Sequence, residues 1–133
     1  MTPAGEAGRR GRRRRLSRSA EFDRVYREGR SHANRYLVVH SFPRSASEDD
    51  PPRLGVSVGR KVGGAVERNR VKRLLREAFW NAEAKLPAGH DFVVVARPDA
   101  GELARTRGEE GIEEALREVL RSAGVSDGGE EAA

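Results

Sequence analysis

The longest periodic stretch of the chain runs from about Val66 to Leu86, and it limits what can be built around it. Val71, Leu74, Leu75, Ala78, Phe79, Ala82 and Leu86 recur three and four apart, the spacing of one helical face. Arg68, Lys72 and Arg76 are successive fourth residues on another face. A helix with this pattern must bury one side against other elements and present cations on the opposite side. From Arg60 to Arg76 there are seven cations, Arg60, Lys61, Arg68, Arg70, Lys72, Arg73 and Arg76, against Glu67 alone, a block of +6. Exposed helices usually carry acids four residues from their bases. Uncompensated repulsion on a rigid element points instead to an anionic partner, nucleic acid first. Gly63 and Gly64 do not make a phosphate loop, because no Gly-Lys-Ser/Thr follows them.

The rest of the charge is equally uneven. The 133 residues carry 26 Lys plus Arg and 21 Asp plus Glu, a net +5, yet residues 1–30 alone contribute +6 and residues 99–133 contribute −6. Of the 26 basic residues 23 are Arg, which admits two readings: guanidinium recognition of RNA phosphates and bases, or the codon bias of a G+C-rich genome. Position along the chain is therefore the better guide. Residues 1–15, MTPAGEAGRRGRRRR, lack apolar periodicity and repel themselves, which predicts a disordered basic arm; residues 125–133 predict a disordered acidic tail.

Between these ends, residues 16–124 are expected to form one domain. Ser19 resembles an N-cap, and Phe22, Val25 and Tyr26 form a short helical stripe ended by Gly29. Tyr36–Phe42 and Arg53–Val58 read as strands, separated by the polar connector PRSASEDDPP, and residues 92–96, FVVVA, as a buried strand. Ile112, Leu116, Val119 and Leu120 predict a last amphipathic helix, with Glu109, Glu110, Glu113 and Glu114 favourably placed in its first turns. The order helix, strand, strand, helix, strand, helix implies a small α+β sandwich. Its second and third strands, joined through a helix, are expected to be parallel.

Several classes of function are excluded early. With no cysteine there is no disulfide, thiolate metal site or cysteine nucleophile. His32, His40 and His90 show no metal-ligand spacing. No segment approaches the roughly 18 to 20 apolar residues of a membrane span, and no apolar signal segment opens the chain, so a cytoplasmic protein is expected.

At Gly55–Phe79, GVSVGRKVGGAVERNRVKRLLREAF, the pattern becomes specific. Arg68-Asn69-Arg70, followed by Val71-Lys72-Arg73-Leu74, resembles the Arg-Asn-Arg signature of the protein subunit of bacterial ribonuclease P. Arg15-Leu16, Glu21-Phe22-Asp23, Val25-Tyr26, Gly29 and Ala33-Asn34-Arg35 follow in the order that family shows, and Asp91–Arg97 resembles its last core strand. The resemblance covers roughly residues 13–122. It implies a sheet of about four strands in a two-layer sandwich, similar to a domain of small-subunit ribosomal proteins, with one further short strand. It also implies a left-handed crossover through the Arg-rich helix, against the rule that nearly all parallel connections obey.

The resemblance further implies a role in removing the 5′ leader of precursor tRNA, with the chemistry and its Mg²⁺ on a catalytic RNA and neither a metal nor a small-molecule substrate on the protein. Arg60, Lys61, Arg68, Asn69, Arg70, Lys72, Arg73 and Arg76 are then expected to dock on that RNA. Phe22, Tyr26 and His40, with Asn34 and Arg35 nearby, are expected to form a cleft for the single-stranded leader. Phe22 and Tyr26 also suit the packing of a short helix, and the two roles are compatible. His40 stands where the family pattern has an aromatic residue. The acid pairs Asp49-Asp50, Glu109-Glu110 and Glu130-Glu131 lie away from the basic segments, which argues against hydrolysis by the protein itself. A structural RNA-binding protein of ribosomal type would share the charge and need no cleft. A protein-only nuclease would need catalytic side chains that the sequence does not supply.

Overall fold

Successive residues of a strand point to opposite faces of a sheet, so the central strands here must satisfy two different environments at once. The computed structural model describes residues 19–43, 51–82, 86 and 89–123. The basic arm, the acidic tail and most of the connector between the first two expected strands lie outside the described residues. The elements are α1 (Ser19–Glu28), β1 (Arg30–Ala33), β2 (Leu37–Pro43), β3 (Arg53–Val58), a 3-10 turn (Arg60–Val62), α2 (Ala65–Asn81), β4 (His90–Ala96) and α3 (Asp99–Ser122). The sheet order is β1-β2-β4-β3; β2 is antiparallel to both neighbours, while β3 and β4 are parallel and joined through α2.

One face carries the main core. Leu37 and Val39 of β2, Leu54, Val56 and Val58 of β3, and Phe92, Val94 and Ala96 of β4 meet the apolar sides of α2 and α3. Val71, Leu74, Leu75, Ala78 and Phe79 are buried, as the periodicity predicts. Phe79 and Phe92 are fully buried and meet edge to face at 5.4 Å. The other face carries a smaller cluster in which Val25 of α1 and Val93 of β4 are fully buried, with Phe22, Phe42 and Val95 around them. The sandwich of sheet and two helices is thus supplemented by α1, a third element on the second face.

Besides a one-residue shift of β2, four features differ from the sequence reading. The short strand β1, Arg-Ser-His-Ala, has no strand signature of its own and is recruited by antiparallel pairing of Arg30 with Ser41 through Ala33 with Val38. Helix α2 ends at Asn81, although Leu86 is buried in the core; Leu86 precedes Pro87, whose ring disfavours helical backbone before it. The last strand begins at His90, two residues before the apolar run. Helix α3 begins at Asp99, not near Glu109; Gly101 and Gly108 interrupt the apolar pattern of its first half and so conceal it in the sequence. Gly108 has φ 55° and ψ −142°, so a kink separates the two halves, and Arg107 spans it to Glu114 at 2.6 Å. Gly101 allows α3 to rest on the carbonyl of Val62 in the 3-10 turn, where a Cβ would collide.

A buried ion pair ties the start of the parallel strands. Asp91, 1% exposed, accepts hydrogen bonds from Nε and Nη2 of its register partner Arg53, both at 2.8 Å. This fork satisfies both carboxylate oxygens in a place that water does not reach. Among the described residues no helix is long and apolar enough to cross a membrane. Replacing Arg53 by Ala leaves a buried carboxylate without its fork and should destabilise the fold by about 3 kcal/mol. A lowered urea midpoint at unchanged slope is the expected readout, and an unchanged midpoint would contradict this role.

Candidate nucleic-acid interface

Helix α2 sets the first surface. Its buried face fixes the rotation of the helix, so Asn69 and Arg73 lie opposite the core and are exposed, with Arg68, Lys72 and Arg76 half-buried. Arg60 and Lys61, exposed on the 3-10 turn, extend the positive surface toward the end of β3. Glu67, the single acid of the block, is already engaged: it accepts from the Gly64 amide at 3.3 Å, capping the helix start, and from Arg105 of α3 at 3.0 Å.

Arg70 departs from the simple picture of a solvated ridge. Its Nη1 donates to the Ala104 carbonyl of α3 at 3.1 Å, and the guanidinium lies beside Gly108 at the kink. Ala104 is in the last turn before the kink, where helix carbonyls lack regular partners. One arm of Arg70 therefore braces α3. Arg68 has a buried Nε with no protein partner.

The second surface lies on the opposite face of the sheet. Helix α1 covers it only in part, leaving Val38, His40, Ser57 and Val95 half-buried. Tyr26, 39% exposed, meets His40 edge to face at 4.8 Å and Phe22 at 6.4 Å. The structure thus brings Phe22, Tyr26 and His40 together along one side of an open strip of sheet. Burial lowers the His40 pKa from its ordinary value, because a desolvated imidazolium is unfavourable. Neutral His40 presents a flat ring beside Tyr26.

The register places cations at one end of this strip. Val58, Ala96 and Leu37 lie side by side in β3, β4 and β2, so Arg60 and Lys61, Arg97, and Arg35 all follow or precede the strands at the same edge. Arg35 is exposed, pairs with Asp99 at 2.9 Å and lies over the Tyr36 ring at 5.6 Å. The Asp99 hydrogen bond, first among its causes, raises the Arg35 pKa.

Asn34 sits apart from the aromatic residues. Its Oδ1 accepts from the amides of Tyr36 and Leu37, both at 2.9 Å, and its Nδ2 donates to the Ala115 carbonyl at 2.9 Å and to Glu118 at 2.8 Å. These bonds use both amide hydrogens and both acceptor positions. Asn34 shapes the β1–β2 turn and ties it to α3. The residues that the sequence reading missed are the floor itself, Val38, Val95 and Ser57, Gly55 buried under Phe22, and Arg97 at the strip's end. Gly55, which with Ser57 alternates with Leu54, Val56 and Val58, was the available signal, since glycine inside a strand marks a close approach.

The described residues contain no group of three His, Asp or Glu side chains placed to hold a metal ion. Comparison with known proteins gives consistent results. The family model described as Ribonuclease P matches residues 11–122. A ribonuclease P protein component of Bacillus pumilus is 43% identical over 91 residues, covering 68% of this chain and 75% of that one. Its counterpart in Clostridium acetobutylicum is 38% identical over 111 residues, covering 84% and 89%. Among solved structures, the RNase P protein of Staphylococcus aureus superposes with a TM-score of 0.74 at 36% identity, over 85% of this chain and 97% of that one. The RNase P protein of Thermotoga maritima gives 0.71 at 34% identity, over 80% and 94%. With a mixed four-stranded sheet, a cation-bearing crossover helix and agreement along nearly the whole described chain, the chain belongs to the ribonuclease P protein family.

Proposed function

We propose that this ribonuclease P protein component docks on the catalytic RNA of its enzyme through α2 and receives the single-stranded 5′ leader of precursor tRNA in the strip beside α1. The observation that carries the second assignment is the exposed Tyr26 ring against His40, over half-buried sheet that ends among Arg35, Arg60, Lys61 and Arg97. An extended strand laid along a sheet can stack bases on aromatic rings while its phosphates meet cations. A ribosomal-type structural protein has use for the ridge and none for such a strip.

The chemistry is assigned to the RNA, with Mg²⁺ held there. In support, several carboxylates of the described chain have structural engagements: Asp91 with Arg53, Asp99 with Arg35, Glu67 with Arg105, and Glu114 with Arg107. The protein then contributes charge screening and substrate placement, which convert a loose encounter into an oriented complex. Precursor tRNA and the catalytic RNA are its partners, and the cytoplasm, where precursor tRNA is processed, is its place of action.

Reconstitution tests the whole reading. The protein alone should leave precursor tRNA intact, and addition of a bacterial ribonuclease P RNA should give cleavage at low Mg²⁺; cleavage without RNA refutes the assignment. Arg68→Ala should weaken binding to the catalytic RNA and lower the salt slope by roughly one per lost phosphate contact. Arg70→Ala should do the same and also reduce stability, since it removes the brace on Ala104. Phe22→Ala or Tyr26→Ala should instead cost about 1 to 3 kcal/mol in affinity for leader-bearing substrate and leave mature tRNA binding unchanged.

His40 supplies a pH test. Because its folded-state pKa lies below the unfolded value, the unfolded chain binds more protons as the pH falls below about 6.5. The stability associated with neutral His40 is full above that pH and declines as the pH drops toward the folded value. His40→Phe should remove this acid-side loss in urea unfolding at about pH 5 while preserving leader affinity at about pH 7.5. An unchanged pH profile would show that His40 is not the group responsible.

A further inference from the structure

Gly55 lies in β3 on the face that carries the strip, and it is buried under Phe22. Glycine inside a strand is unfavourable for backbone entropy and contributes no packing, so its place needs a local cause. That cause is the Phe22 ring. A Cβ added at position 55 would meet Phe22 Cζ, with Cε2 at 2.9 Å and Cε1 at 3.0 Å. These are the outer atoms of a ring that can move only as a whole. Either the ring lifts or α1 moves.

Two contacts hold α1 against such a movement. Val25 is fully buried against Val93, and Gly29, just past the helix end, abuts the Ser41 carbonyl of β2 so closely that a Cβ there would collide. The displacement would therefore fall on Phe22 and on what it touches. Phe22 meets Tyr26, and Tyr26 meets His40, both edge to face. The height of Phe22 above β3 is passed along the row of rings.

We propose that Gly55 is a positioning residue of the leader strip: its missing Cβ sets the depth of Phe22, and through Phe22 the placement of Tyr26 beside His40. The proposal rests on the assignment of the strip to the leader. Gly55 itself touches no RNA in this scheme. It acts by holding the aromatic row at the height where a base can stack.

The test uses holoenzyme reconstituted with ribonuclease P RNA and compares affinity for leader-bearing and mature tRNA, the ratio being the leader contribution. Gly55→Ala should reduce that ratio about tenfold, within the range of one lost stacked base, while affinity for the catalytic RNA stays within about twofold. Phe22→Leu should reduce the ratio in part. Adding Phe22→Leu to Gly55→Ala should restore the ratio to the Phe22→Leu level, because the smaller side chain vacates the space the new methyl needs. A normal ratio in Gly55→Ala together with a loss in Phe22→Ala and Tyr26→Ala overturns the positioning role and leaves the strip assignment standing. An undiminished ratio in all three overturns both. Should Gly55→Ala fail to fold, the double variant decides: a folded double variant matching Phe22→Leu supports the role, and one that loses the leader contribution altogether overturns it.

Discussion

Strand β4 must be buried on both faces, and the rest of the architecture follows from that demand. Phe92, Val94 and Ala96 point into the main core, while Asp91 and Val93 point the other way and are equally shielded. Two helices with a combined apolar surface close the first side. On the second side stands α1, ten residues long, and it reaches Val93 while leaving Val95 half-buried. Among the described residues, the aromatic strip is what remains uncovered when a short helix is laid over a longer sheet. Asp91, at the far end of the same face, is tolerable because Arg53 meets it with Nε and Nη2.

The two surfaces of the protein act over different distances. The ridge, with Arg60 and Lys61 exposed on the 3-10 turn, Arg73 exposed on α2 and Arg68, Lys72 and Arg76 half-buried beside it, is a positive field of the kind that acts on phosphate from beyond contact and weakens with salt. The strip beside α1 acts only at van der Waals range, through rings whose edges and faces are already ordered against each other. In the proposed scheme the catalytic RNA is held by the first and the single strand is received by the second, so the two RNAs are recognised through different forces.

Much of this was legible in the residues. The apolar period assigned the buried face of α2, although Arg68, Lys72 and Arg76, expected on its open side, are half-buried and Asn69 and Arg73 are exposed, and the alternation Leu54, Val56, Val58 assigned the faces of β3. The parallel course of β3 and β4, joined through a helix, was legible, but the pairing at the sheet's other edge was not. Arg30–Ala33 becomes a strand because β2 offers it an edge, a cause that lies outside its own four residues. The first half of α3 was hidden by Gly101 and Gly108, which serve a close contact and a kink and so break the pattern that marks a helix. In the site, the row Phe22, Tyr26 and His40 was named through the family resemblance and the structure brings the three rings together, whereas Asn34, expected beside them, is occupied in holding a turn to α3. A polar residue near a site carries no sign in the sequence of whether its hydrogen bonds are already spent.

The paired contacts between α2 and α3 have a thermodynamic consequence for assembly. Glu67 is joined to Arg105, and Arg70 reaches the Ala104 carbonyl, so two long side chains of the charged block and the helix start are already ordered before any RNA arrives. Ordering rotamer-rich side chains on binding costs about 0.5–1.5 kcal/mol for each one immobilised. A ridge riveted to its neighbouring helix has met part of that entropy loss during folding. Its association with a structured polyanion can then resemble the meeting of two rigid templates, with the favourable energy of the contacts retained as affinity.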